Sequence, residues 1–151
     1  MRIAVDINVL VYAQGLGDPE RIARALDVLD PLELSLVVPT QVLGEAFNVL
    51  TRKFGLSSRD VLEAIAVWSQ TAEVFAGPPH VMLRAVHLAT DHRFQIWDAF
   101  IIETAVEADC TILLSEDMQH GFFWNGLTII NPFIGPEHPL LSAALSRACG
   151  S

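Results

Sequence analysis

Lysine is nearly absent from this chain: Lys53 stands alone beside eight arginines, against 18 aspartates and glutamates. The formal net charge is −9. So few cations argue against a broad, non-specific grip on nucleic acid through a basic surface. They do not exclude a nucleic-acid enzyme. Bound metals neutralise part of an acidic site, a few arginines hold phosphates locally, and a basic protein partner complements an acidic surface. Cysteine is equally scarce. Cys110 and Cys149 form no C-x-x-C pair, so the spacing suggests no zinc site, and free thiols in a reducing compartment are the plain reading. No apolar run reaches the ~18 residues of a membrane span. Met1-Arg2 runs straight into a strand-like segment without a signal-peptide layout, so a cytoplasmic protein is expected. No internal repeat, low-complexity tract or long linker is visible.

What is present is apolar and periodic. Hydrophobic residues make up 52% of 151, with a mean hydropathy of +0.41. That composition belongs to a folded chain with a proper core. Short apolar runs at Ile3–Val5, Leu34–Val38, Thr111–Leu114 and Leu127–Ile130 read as buried strands, with Glu73–Phe75 as a shorter one. Between them the apolar spacing is helical. Helices are expected at Asn8–Ala13, at Glu20–Leu29, from a Thr40 cap to Gly55, after Ser57 or Ser58, at Val81–Ala89 and at Trp97–Ala108. Strands alternating with helices imply a mainly parallel sheet covered on both faces. Gly135-Pro136 reads as the start of a C-terminal helical appendage.

Four carboxylates sit where apolar runs end or helices begin: Asp6 after the first strand, Glu45 in the helix after the second, Asp98 opening a helix, and Asp117 after Leu113-Leu114-Ser115. Each has a plain alternative. Asp98 reads as an N-cap, Glu45 as a boundary glutamate, Asp6 and Asn8 as an Asx-turn or cap, and Asp117 as a turn residue. Their conjunction is more telling. In an open α/β sheet, functional groups gather beyond the carboxyl ends of the strands. Four acids meeting there would repel by about 1–4 kcal/mol per pair at ~4 Å. A hard divalent cation with oxygen ligands removes that repulsion.

Val5-Asp6-Ile7-Asn8, Gln41-Val42-Leu43-Gly44-Glu45, Ile96-Trp97-Asp98-Ala99 and the segment Leu114 to Gly121, followed by Asn131-Pro132-Phe133, resemble the PIN-domain ribonucleases, most closely the VapC-type toxins of bacterial toxin–antitoxin pairs. The resemblance covers about residues 2–134. It implies a three-layer α/β/α fold, with a nuclease domain over 1–134 and the appendage over 135–151. It also implies an endoribonuclease dependent on Mg²⁺ or Mn²⁺. Asp6, Glu45, Asp98 and Asp117 match the acidic quartet, and Asn8 and Ser115 match supporting polar positions. The implied partners are an RNA substrate and a small antitoxin whose C-terminal segment covers the acidic groove.

Two competing classes remain open at this stage. A receiver-like or phosphatase-like phosphoryl-transfer domain also gathers acids at strand ends, but it usually needs a lysine near the phosphate. A catalytically silent PIN-like binding module would retain the fold alone. Glu103 and Glu107 are expected to be solvated, Glu116 to point away from Asp117, and His80, Arg84, His87, His92 and His138 to lie on the surface. His120 is expected to pack in a turn. Arg21, Arg24, Arg52 and Lys53 are the candidates for touching RNA. Phe122-Phe123-Trp124 suits base stacking, a hydrophobic loop or a subunit contact. With Leu140-Leu141 it supplies the apolar patches on which a two-fold homodimer is expected.

Overall fold

The computed structural model describes residues 1–150, and the chain is built around a six-stranded sheet of order β3-β2-β1-β4-β6-β5. The strands are β1 Ile3–Val5, β2 Leu36–Pro39, β3 Glu73–Phe75, β4 Ile112–Leu114, β5 Phe123–Trp124 and β6 Leu127–Ile130. β1 through β4 and β6 pair in parallel, with Ala4 opposite both Val37 and Leu113, and β5 alone runs antiparallel. Every residue of β1, β4 and β6 is buried. Unbroken apolar strands are what a parallel sheet covered on both faces requires.

Among the described residues, seven helices cover it: α1 Ile7–Ala13, α2 Pro19–Leu32, α3 Thr40–Arg52, α4 Ser58–Thr71, α5 Pro79–His92, α6 Ile96–Glu107 and α7 Pro139–Cys149, with a short 3₁₀ turn at Glu33–Ser35. The architecture is the expected three-layer α/β/α. Asp18 caps α2 by accepting from the Arg21 amide at 3.1 Å, and Pro19 takes the first turn, where its missing N–H costs nothing. Ser57 rather than Ser58 caps α4. Thr40 does not cap α3: Pro39 holds the cap position, no side chain caps the helix, and Thr40 is its first residue. α2 runs on to Leu32, past Pro31. α7 packs against α2, and its Leu141 is fully buried. Leu140 beside it is half-buried against the core.

β5 was not legible as a strand by alternation. Asn125 and Gly126 both take positive φ, 46° and 87°, and turn β5 back onto β6. An Asn-Gly pair between apolar residues is the sequence signal for such a hairpin. Phe122 and Trp124 stack with centroids 6.4 Å apart, both against the His92 ring, while Phe123 projects outward.

Glu103 is a correction. It is 1% exposed, not solvated. It accepts from Arg84 Nε at 3.1 Å and from Trp124 Nε1 at 2.7 Å, tying α5, α6 and β5 together. Glu107 accepts from Arg84 and from His80 at the edge of the same network. His138 is likewise not idle, since its Nδ1 caps α7 by accepting from the Leu140 amide. Among the described residues, no helix is long and apolar enough to cross a membrane.

Candidate active site at the β1–β4 crevice

β1 is followed by β2 on one side and by β4 on the other. The chain order therefore reverses between β1 and β4, and such a switch point opens a crevice beyond the carboxyl ends of the strands. Asp6 and Ser115 are the first residues past those two ends.

Asp6 is 7% exposed and anchored through both oxygens. Oδ1 accepts from the Ile7 amide at 2.8 Å, which caps α1, and Oδ2 accepts from Ser115 Oγ at 2.9 Å. The Asp6 amide donates to Leu114 O at 2.9 Å, fixing the residue to β4. Burial pushes its carboxyl above the usual range. The two hydrogen bonds pull it down, and the charges of Asp98 and Asp117 push it up again. Ser115, itself fully buried, also accepts from the Met118 amide at 3.3 Å, so one hydroxyl sets both Asp6 and the turn that carries Asp117.

Glu45 lies in the second turn of α3. Its carboxyl is raised by partial burial, then by the charges of Asp6 and Asp98, against a hydrogen bond from Gln41. Asp98 occupies the first turn of α6 but is not its cap; Gln95 holds that position. Partial burial and then the Asp117 charge raise the Asp98 carboxyl. Asp117 is exposed at the rim, where Asn8 Nδ2 donates to its Oδ2. Asp6, Glu45 and Asp98 thus each feel the charge of at least one other acid of the four. Among the described residues, however, no three acids, histidines or cysteines form a ready coordination shell. The donor set is all oxygen and hard, and its Asp6, Glu45 and Asp98 carboxyls are raised by burial and by neighbouring acid charge. Those features fit a hard divalent cation.

Glu116 turns away from Asp117, as its neighbourhood requires. Its Oε1 accepts from Arg21 Nε at 3.0 Å and its carbonyl accepts from Asn131 Nδ2 at 3.2 Å. His120 Nδ1 accepts from the Asn131 amide at 3.0 Å, the turn-packing role expected of it. The Tyr12 hydroxyl, beside Glu116, is pushed up to about 12 by burial and then by that carboxylate. Sequence reasoning missed this Tyr12–Glu116–Arg21 group. The helical spacing of Asn8 and Tyr12 on α1 was the available signal. Of the other basic candidates, Arg24 is committed to Pro132 O and Glu137, and Lys53 lies over the Phe54 ring.

The strand order and the crevice at its switch point are those of an open α/β domain. The PIN-domain family model matches residues 3–120, most of the chain, and this protein belongs to that family. Its fold is shared with solved structures of low identity. The VapC20 toxin of Mycobacterium tuberculosis superposes with a TM-score of 0.65 at 19% identity, over 76% of this chain and 91% of that one. VapBC2 from Rickettsia felis gives 0.58 at 14%, over 78% and 89%. PAE2754 from Pyrobaculum aerophilum gives 0.63 at 14%, over 100% and 97%. No curated protein matches the sequence significantly.

Proposed function

We propose that this chain is a Mg²⁺- or Mn²⁺-dependent endoribonuclease and the toxin half of a bacterial toxin–antitoxin pair. One observation carries the reading: Asp6, Glu45 and Asp98 are all raised by burial and by neighbouring acid charges at the crevice. Such a set is poorly suited to stand without a cation. Asp6, Glu45, Asp98 and Asp117 would hold it, some of them through water, because Mg²⁺ favours one or two direct carboxylates. When bound, the cation acidifies a water and neutralises charge on the phosphate. Ser115 keeps Asp6 oriented, and Asn8 holds Asp117 at the rim.

The structural relatives support the substrate and partner. VapC20 is described as a sarcin-ricin loop cleaving toxin, and VapBC2 as bound to a DNA fragment from their promoter. A receiver-like reading lacks its lysine. Lys53 follows the last residue of α3, eight positions from Glu45 and roughly 12 Å along the helix. Exposed Leu62, Val67, Leu83, Val86 and Trp97 favour coverage by a second copy and by an antitoxin.

Incubating the purified, partner-free protein with a mixed RNA pool tests the activity. Cleavage is expected with Mg²⁺ or Mn²⁺ and not with EDTA. Asp6→Asn should remain folded, since asparagine also caps a helix, and should lose cleavage by roughly 100-fold or more. Cleavage of RNA at the wild-type rate by that folded variant would remove Asp6 from the site. Cleavage of DNA alone would keep the metal chemistry and sink the toxin reading. Light scattering should give a dimer, and co-purification with the product of a neighbouring small gene should suppress cleavage.

A further inference from the structure

We infer that Arg21 is the phosphate-positioning residue of this site, its terminal guanidinium edge receiving an RNA backbone phosphate beside Asp117. The inference rests on the nuclease reading above and names a contact that the acids cannot make. A polyanion approaching a chain of charge −9 meets carboxylates on every side of the crevice. Three of the arginines that could offset this are spent on other groups. Arg2 gives Nη1 and Nη2 to Glu73 and Nε to Ala108 O. Arg84 gives all three nitrogens to Glu103 and Glu107. Arg24 gives Nε to Pro132 O and Nη2 to Glu137.

Arg21 differs. Only Nε is hydrogen-bonded, to Glu116 Oε1 at 3.0 Å; Nη1 makes a longer ion pair with Asp18 Oδ2 at 3.8 Å. The guanidinium carbon lies 5.9 Å from the centroid of the Phe133 ring, which Tyr12 braces edge-on at 5.1 Å. Glu116 immediately precedes Asp117, and Tyr12 lies one helical turn beyond Asn8, the residue that holds Asp117. The side chain is 43% exposed. A planar cation is therefore held through its inner nitrogen and its face, on a partly exposed side chain whose partner Glu116 adjoins Asp117 in the chain. Its Nη1/Nη2 edge matches two phosphate oxygens, and a guanidinium already held in place loses little freedom on binding.

The test uses a fluorescein-labelled, short single-stranded RNA of mixed sequence, held uncut in EDTA and followed by anisotropy across a salt series. Arg21→Ala and Arg21→Gln should each bind roughly tenfold more weakly. Each should flatten the dependence of log K on log salt by about 0.7, one phosphate contact on a single strand. The glutamine keeps a donor for Glu116 and so separates charge from packing. If Arg21 only neutralised Glu116, the double variant Arg21→Ala with Glu116→Gln would recover binding; here it should stay as weak as the single variant. In Mg²⁺, KM should rise with kcat near wild type. Binding within about twofold of wild type with an unchanged salt slope, or recovery in the double variant, overturns the assignment of Arg21 alone. A wild-type chain that neither binds nor cleaves RNA overturns the nuclease reading and this inference together.

Discussion

Asp98 is where electrostatics and stability part company. Its carboxyl is raised by partial burial and by Asp117, so the folded, metal-free protein holds that proton more tightly than the unfolded chain does. The penalty on stability is fully present above the raised value and disappears as pH falls through it toward the ordinary range near 4. Asp98→Asn should therefore raise the melting temperature in EDTA at pH 7.5 while destroying cleavage. Because the group is only partly buried, solvent screening keeps the gain to about 1 kcal/mol at most, or roughly 2–4 °C. Thermal melts of both proteins at several pH values check the sign. A gain that grows on acidification would refute it. Ser115→Ala acts in the opposite sense. It removes a donor from a buried carboxylate and an acceptor from the Met118 amide. The expected cost is about 1–2 kcal/mol of stability and about tenfold in cleavage, through a disoriented Asp6. Unchanged rates would show that the Ile7 amide alone suffices to hold it.

Among the elements, α6 joins the acid crevice at its start to a buried ion network near its end. Glu103→Ala strands the Trp124 N–H and leaves Arg84 with the Glu107 carboxylate and the residue 103 carbonyl. Breaking a buried pair costs about 3–5 kcal/mol; with Arg84 partly exposed, about 2–3 kcal/mol is expected. A urea midpoint equal to wild type would refute the network's importance. The same residue marks where sequence reading fails. Helical spacing set Glu103 opposite Asp98 and made it a solvent face, because nothing local announces that Arg84 and Trp124 converge on it from other elements. The strands of the parallel sheet were legible, because burial on both faces leaves unbroken apolar runs. Helix starts were less so: Thr40 looks like a cap, yet the chain turns at Pro39, and Asp98 lies inside α6. Placing Asp6, Glu45, Asp98 and Asp117 at strand ends and helix starts needed only the alternation of elements. That Ser115 reaches Asp6 and Asn8 reaches Asp117 depends on strand register, which spacing does not give; the resemblance implied only that both residues support the site.

For the whole molecule, the C-terminal segment 135–151 is proposed to act as a docked appendage. α7 buries Leu141 and Ala144 against the α2 side of the core. Truncation after residue 134 should cost at least about 3 kcal/mol by lost burial without touching any of the four acids. Urea denaturation and RNA cleavage measured on the same truncated protein separate the two effects. An unchanged denaturation midpoint would mean that α7 adds nothing.

Asp6 caps the start of α1 and faces the crevice with one carboxylate, so its presence is over-determined. In a lineage released from any need to cut RNA, folding alone would still favour aspartate or asparagine there. Asp98, which burdens the metal-free fold, would be free to drift, and so would Asp117 at the exposed rim. An intact residue 6 in a distant relative therefore reports ancestry, whereas an intact residue 98, kept against its own cost, reports a working enzyme.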